Sequence, residues 1–268
     1  MGDNERGQVS ADAAKIYDEF YIPGLFAQWT PRVIEAAQIQ SGQRVVDVAC
    51  GTGVLARAVA ERVGPAGLTV GVDINEGMLN IARNKAPQIV WHQAPAEALP
   101  LDDNSFDKVV CQFGLMYFDN QRIALEEMMR VLRPGGKLVV VVWDKLENSP
   151  GYAVEDQLFQ RVLGEEFADE APYSLGDRQV LHQLFASAGV SEVKIRTHTG
   201  TARFASIDDW IYTDVKGWTI GAEIEDDKYE RLLKEAQRDL ARFCTTDGAV
   251  AFSTPAHIVT ASRPDVVR

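Results

Sequence analysis

The sequence predicts a doubly wound α/β sandwich, a mostly parallel sheet with helices on both faces. Between residues 43 and 144, short continuous apolar runs such as Arg44–Val48 and 137–143 alternate with segments of helical periodicity. Strands apolar at successive positions are covered on both faces, which is how parallel sheets are buried. Right-handed crossovers then distribute the intervening helices over the two faces. A length of 268 residues, 46% of them apolar, suits one large domain with a full core.

Taken in order, residues 10–40 read as two helices. The first covers 11–20 and breaks near Pro23-Gly24. In the second, Pro31 sits in the first turn, where its missing N–H costs nothing, and Val33, Ile34, Ala37 and Ile39 supply the apolar face. Then follow a strand at Arg44–Val48, a helix at Val54–Val63, a strand at 68–72, a helix at 76–86 stopped by Pro87, and a strand at 89–92. The turn at 102–105 opens a strand at 107–112. A helix at 121–132, closed by Arg133-Pro134-Gly135-Gly136, leads into the most apolar strand, 137–143. Beyond lie helices at 152–163 and 178–188 and strands at 192–203 and 250–262. The mainly helical stretch 206–243 separates those two strands.

Composition excludes several function classes. Lys and Arg number 27 against 39 Asp and Glu, a formal charge of −12. Nucleic-acid binders use basic surfaces to displace counterions from phosphate, so no nucleic-acid partner is expected. No apolar run reaches about 18 residues, so no membrane span is expected. The polar, acidic first ten residues lack the apolar core of a signal peptide. Three cysteines, Cys50, Cys111 and Cys244, at no metal-ligand spacing, point to reduced thiols, a cytoplasmic protein and no metal site.

The chemistry concentrates where the first strand meets its helix, in Val45-Val46-Asp47-Val48-Ala49-Cys50-Gly51-Thr52-Gly53. Gly51 and Gly53 allow a sharp bend and close approach of a ligand to the backbone, and the helix start beyond offers unpaired N–H groups. By itself this is ambiguous, because Gly51 through Ala56 also satisfies the dinucleotide pattern G-x-G-x-x-A. Asp73, ending the next strand twenty residues after Gly53, can accept hydrogen bonds from both hydroxyls of an adenosine ribose. Nicotinamide enzymes share that feature. The tie is broken by Asp47, where a dinucleotide fold has an apolar residue, and by Ala94-Pro95-Ala96-Glu97-Ala98-Leu99-Pro100, Phe106-Asp107 and Arg133-Pro134-Gly135-Gly136.

Asp47-x-x-Cys50-Gly51-Thr52-Gly53 resembles motif I of class I S-adenosylmethionine-dependent methyltransferases. The later segments are similar to those of the branch that includes the ubiquinone and menaquinone C-methyltransferases. The resemblance covers about residues 43–144. It implies a Rossmann-like, seven-stranded sheet whose last strand, 250–262, runs antiparallel to the rest, and S-adenosyl-L-methionine as cofactor. It also implies roles: Asp47 and the backbone at Ala49 and Gly51 hold the amino-acid end of the cofactor, within a motif that includes Thr52 and Gly53. Asp73 takes the ribose, Ile74 and Met78 flank the adenine, Ala96 and Glu97 meet its edge, and Gln112 and Phe113 lie near the methionine portion.

In such a fold the methyl group emerges at the carboxyl ends of the strands. The expected walls of an acceptor pocket are Tyr17, Tyr21, Met116, Tyr117, Trp143, Trp210 and Trp218, which suggests a small apolar or aromatic acceptor methylated on carbon, oxygen or nitrogen. Residues 1–42 are expected to cover the cofactor site. Residues 43–205 and 246–268 form the catalytic domain, and 206–245 a helical lid. No catalytic base is assigned: His92 and His182 are poorly placed, and His198 and His257 read as sheet partners. A cofactor-binding protein without transfer activity and a nicotinamide oxidoreductase are the competing functions. A homodimer is left open.

Overall fold

The computed structural model describes residues 10–164, 167, 171–190, 192–217 and 224–265. One seven-stranded sheet forms the centre, in the order β3-β2-β1-β4-β5-β7-β6. β1 (Arg44–Val48), β2 (Leu68–Asp73), β3 (Val90–Gln93), β4 (Phe106–Gln112) and β5 (Leu132–Trp143) are mutually parallel. β7 (Val250–Ser262) runs antiparallel between β5 and the edge strand β6 (Val193–Phe204). The chain order reverses direction across β1, and the β1/β4 boundary is the point at which such sheets open a crevice at their carboxyl ends.

The helices follow from capping as well as from apolar periodicity. Asn75 opens α4 (Glu76–Lys85) by accepting the Met78 N–H at 3.0 Å, and Asn120 opens α5 (Gln121–Val131) by accepting that of Ile123 at 3.1 Å. α3 (Val54–Val63) has no side-chain cap; Gly53, at φ +82°, turns the chain into it. Val45, Val46, Val109, Val110 and Val139–Val142 are almost wholly buried, so the sheet is covered on both faces as its unbroken apolar strands require.

Two local expectations are corrected. The N-terminal helix does not break at Pro23-Gly24. α1 (Ala11–Ile16) passes directly into a wide π-helical segment, Tyr17–Phe26, that carries Pro23 inside it. Proline in an α-helix clashes with the carbonyl four residues back and lacks an N–H; a turn closed over five residues relieves that geometry. Gly24 is needed for another reason: a Cβ there would lie 2.5 Å from the Arg203 carbonyl oxygen, so the segment sits directly on β6. Arg133-Pro134-Gly135-Gly136 is likewise not a free turn. It lies within β5, with a register shift against β4, and is held by Gly135 N–H to Arg263 O and Arg263 N–H to Gly136 O, both 2.9 Å.

The same N-terminal segment closes the sheet edge. The Gln28 amide donates to Thr201 O and accepts the Thr201 N–H, both at 2.8 Å, imitating a neighbouring strand, and Arg32 donates to Thr199 O. Exposed backbone of an edge strand is thereby satisfied. α2 (Thr30–Ala37) then packs on β4 and β5. After α6 (Pro150–Val162) and α7 (Arg178–Ser187), the stretch between β6 and β7 carries α8 (Ile207–Lys216) and α9 (Asp226–Asp239). α8 packs on the N-terminal segment and on α9, and α9 on α6.

Candidate active site

At the carboxyl ends of β1, β2 and β4 lies a cavity of about 490 Å³. Of the residues expected around a cofactor, Ala49, Gly51, Asp73, Ile74, Met78, Ala96, Glu97, Gln112 and Phe113 line it, and Tyr17 lies across its mouth near Gly51. The backbone at both strand ends is unusual. Ala49 and Phe113 have φ of 56° and 59°, where side chains are rarely tolerated. Gly114 permits this crossing, since a Cβ there would come within 2.4 Å of Ala49 Cβ.

Asp73 ties the floor together. Its Oδ2 accepts the Gly51 N–H at 2.7 Å and its Oδ1 the Asn75 N–H at 2.8 Å. Burial pushes its carboxyl above the ordinary carboxylate range, while the N–H groups of Asn75, Gly51 and Ile74 act in the opposite sense. Each oxygen retains acceptor capacity toward the cavity. Glu97, whose Oε1 accepts the Asn120 N–H at 3.0 Å, joins the opposite wall to the start of α5.

Asp47 sits one layer behind, 1% exposed, and neither carboxylate oxygen meets a donor in hydrogen-bond geometry. Burial first, and the Asp73 charge second, push its pKa well above the ordinary value; the nearby Ala56 N–H works the other way. A buried carboxylate without a partner is costly, and a cationic ligand group is the chemistry that would offset it. The two positively charged centres of S-adenosyl-L-methionine, ammonium and sulfonium, meet that requirement, so the donor set fits the cofactor. Thr52 is buried, and Gly53 faces away from the cavity: a Cβ on it would meet Trp91 at 2.5 Å. Gly71 makes the same allowance for that ring at 2.3 Å. Trp91, held by its Nε1–H to Ala86 O at 3.0 Å, explains both glycines by packing.

Comparison with known proteins decides the family. The sequence model of the ubiE/COQ5 methyltransferase family matches residues 17–207. The chain belongs to that family. It is 33% identical over 214 residues to the ubiquinone/menaquinone biosynthesis C-methyltransferase UbiE of Saccharophagus degradans, covering 72% of this chain and 86% of that one. It is 34% identical over 192 residues to the demethylmenaquinone methyltransferase of Staphylococcus carnosus, covering 64% and 78%. Among solved structures, the YcgJ protein from Bacillus subtilis superposes with a TM-score of 0.60 at 19% identity, covering 89% of this chain and 99% of that one. Phosphoethanolamine N-methyltransferase 2 from Haemonchus contortus, in complex with S-adenosyl-L-methionine, superposes with a TM-score of 0.63 at 16% identity, covering 97% and 59%. At these identities the structural likenesses show the fold alone. The ubiE/COQ5 membership makes the chain a methyltransferase that uses S-adenosyl-L-methionine.

Beside the cofactor cavity of this methyltransferase lies a second, smaller one of about 110 Å³; Tyr117 lines both. Tyr21 and Trp143, expected in an acceptor pocket, line it together with Phe26. Trp143 stacks on Phe113 with ring centres 3.8 Å apart, so one aromatic pair separates the two spaces. Met116 is buried and lines neither. Trp210 is fully buried between Phe204 and Phe252 and lines neither cavity; its part is to donate Nε1–H to Asp214 Oδ2 at 2.7 Å. Trp218 lies outside the described residues.

Sequence reasoning missed Glu155 and Asp214, 5% and 6% exposed, which line this second cavity with Tyr152. A signal existed. Each is an acid on a helix face otherwise shared with aromatics, Tyr152, Glu155 and Phe159 on α6 and Trp210 and Asp214 on α8. His257, by contrast, is a sheet residue: its ring contacts Thr197 Oγ1 and Gly176 O, both 2.9 Å, and Asp144. Among the described residues no cluster of His, Cys, Asp or Glu is placed to hold a metal, and no helix is long and apolar enough to cross a membrane.

Proposed function

We propose that this enzyme methylates a small, apolar or aromatic molecule bound in the second cavity, next to the cofactor. The observation that carries the proposal is the adjacency of the two spaces at Tyr117, with Tyr21, Phe26 and Trp143 supplying the walls on the acceptor side. The relatives named for ubiquinone and menaquinone biosynthesis make a quinone-like ring carbon one candidate acceptor; oxygen and nitrogen acceptors fit the same walls.

When bound, S-adenosyl-L-methionine supplies an activated methyl group, so the protein's work is alignment and exclusion of water. In this reading Asp47, with the backbone of Ala49 and Gly51, holds the amino-acid end. Thr52 and Gly53 complete that loop, Asp73 holds the ribose, Ile74 and Met78 flank the adenine, Ala96 and Glu97 meet its edge, and Gln112 and Phe113 border the methionine portion. Tyr17, Tyr21 and Phe26, with Tyr17 stacked on Phe26 and Tyr21 tilted against both, cover the top. Of the expected lid 206–245, the described helix α8 serves as cover, and its Asp214 lines the acceptor cavity. The reading needs no second copy of the chain, and sedimentation equilibrium would test the homodimer.

The experiment is calorimetric titration with S-adenosylhomocysteine, with NADH as control, followed by methyl transfer from labelled S-adenosyl-L-methionine to a panel of aromatic and quinone-like compounds. Micromolar binding of the first ligand alone, and label in an aromatic product, is the expected result. Binding of NADH instead, or label only in protein or nucleic acid, rejects the reading.

A further inference from the structure

Near the amino ends of β1 and β4, at the opposite end of the strands from the cofactor cavity, α2 and α3 leave an open groove of about 940 Å³ that shares no residue with either cavity. Lys108 of β4 lines it and is only 9% exposed, yet among the described residues its ammonium group has neither a hydrogen-bond nor an ion-pair partner. Its direct partner on β5 is a second cation, Lys137. Burial pulls the Lys108 ammonium below the ordinary lysine range, the Lys137 charge acts in the same sense, and Asp107 opposes both. A buried ammonium without an acceptor is costly, and more so beside a like charge. The groups around it are donors as well. Lys137 Nζ donates to Gln38 Oε1 at 2.7 Å, and the Gln40 N–H donates to Gln43 Oε1 at 2.9 Å. The amide oxygens of both groove glutamines are thus engaged and their amino groups are left. Arg62 donates Nε–H to Ile39 O at 2.9 Å, which leaves its terminal nitrogens without a partner among the described residues. Glu35 and Glu61, exposed at the rim, pair with none of these cations. In a chain of formal charge −12, three cations gather here without a carboxylate.

We propose that this groove binds a small anion with several acceptor oxygens, a phosphate or carboxylate compound, with one oxygen on the Lys108 ammonium and the others on Arg62, Gln38 and Gln43. The anion supplies the counter-charge that the fold withholds from Lys108, and the Arg62 guanidinium offers two parallel donors to a pair of its oxygens. Lys137 and Gln40 hold the two glutamine amides in place beforehand, so little side-chain freedom is lost on binding. Glu35 and Glu61 at the rim repel an extended polyanion, so the ligand is compact. Arg62 lies in the last turn of α3, and the glycine loop of the cofactor site leads into the first turn of the same helix. The two sites are therefore separate, and the anion and the cofactor can be bound together.

The test uses the full-length protein and three probes: inorganic phosphate, pyrophosphate and citrate. Each is titrated calorimetrically at neutral pH and constant ionic strength, with chloride as the balancing anion, because salt screening would otherwise mimic binding. At least one probe is expected to bind with one site per chain and a Kd below about 1 mM, and to raise the melting temperature saturably. Binding of phosphate or pyrophosphate assigns a phosphoryl ligand; binding of citrate alone assigns a carboxylate. Lys108→Met replaces the ammonium by an apolar end of similar length. It should weaken that probe at least about tenfold and, in chloride, melt no lower than wild type. Arg62→Gln should weaken the probe about three- to tenfold. No probe binding wild type below about 1 mM, or a cooperatively melting Lys108→Met protein that keeps wild-type affinity, overturns the proposal. If Lys108→Met fails to fold, Arg62→Gln decides, and wild-type affinity in that variant overturns the proposal equally.

Discussion

Asp73 holds the glycine loop in place before any ligand arrives: its Oδ2 accepts the Gly51 N–H at 2.7 Å while its Oδ1 caps the turn into α4 through Asn75. The residue expected to hold a ribose is thus also a structural clasp between the ends of β1 and β2. Asp73→Ala should therefore have two consequences. Affinity for S-adenosylhomocysteine should drop about 10–100-fold, and unfolding free energy should drop by about 1–3 kcal/mol, because two charge-assisted hydrogen bonds are lost with the ligand contacts. Calorimetry and urea unfolding read the two separately; unchanged affinity would remove Asp73 from the cofactor site.

Asp47 should behave in the opposite way. Its carboxylate is buried and meets no donor, so it costs stability in the free protein. Asp47→Asn, of the same shape, should leave the melting temperature unchanged or raise it, while weakening S-adenosylhomocysteine about tenfold or more. A variant that melts well below wild type and binds the ligand normally would show that Asp47 serves the fold.

The glycines facing Trp91 predict a coupled pair. Gly71→Ala places a methyl group 2.3 Å from the Trp91 ring and 3.0 Å from Cys50 Sγ, and should destabilise the protein by about 1–3 kcal/mol through overpacking. In a Trp91→Leu background the same substitution should cost much less. A double-mutant cycle measures this directly, and additive losses would mean that Trp91 is not the obstacle.

Asp214 predicts a pH dependence of stability. Burial pushes its carboxyl up to about 6 from 3.8, while Glu155, Tyr21 and Trp210 hold it below what burial alone would give. The native state then binds this proton more tightly than the unfolded chain does. The resulting contribution is fully present below about pH 3.8 and is lost as pH rises to about 6, on the order of 3 kcal/mol in all. The groups facing it are Tyr21 from the π-helical segment, Tyr152 and Glu155 from α6, and Trp210 on its own helix. Urea midpoints of wild type measured from pH 4 to 7 should fall relative to those of Asp214→Asn. Parallel profiles would contradict the assignment.

Much of this protein was legible in its sequence for a physical reason: the relevant information is local. The alternation of unbroken apolar strands with helical periods determines a covered parallel sheet, and the residues at the ends of β1, β2 and β4 are brought to one edge by that topology alone. The family resemblance carried by those motifs pointed to Asp47, Gly51, Asp73, Glu97 and Phe113, and the last four border one cavity with Asp47 behind it. Caps such as Asn75 and Asn120 are equally local. Tertiary structure decided what depends on contacts between distant segments. Trp210 reads as a lid aromatic, yet it packs inside an aromatic core and serves Asp214, because α8 folds back against β6 and β7. Pro23 reads as a helix breaker, yet a π-helical turn carries the chain past it onto β6, where Gln28 meets Thr201 across 173 positions of sequence. Glu155 and Asp214 become neighbours only when α6 and α8 converge on the N-terminal segment. No local pattern encodes that meeting, because the free energy that fixes it comes from burying aromatic surface shared by three separate parts of the chain.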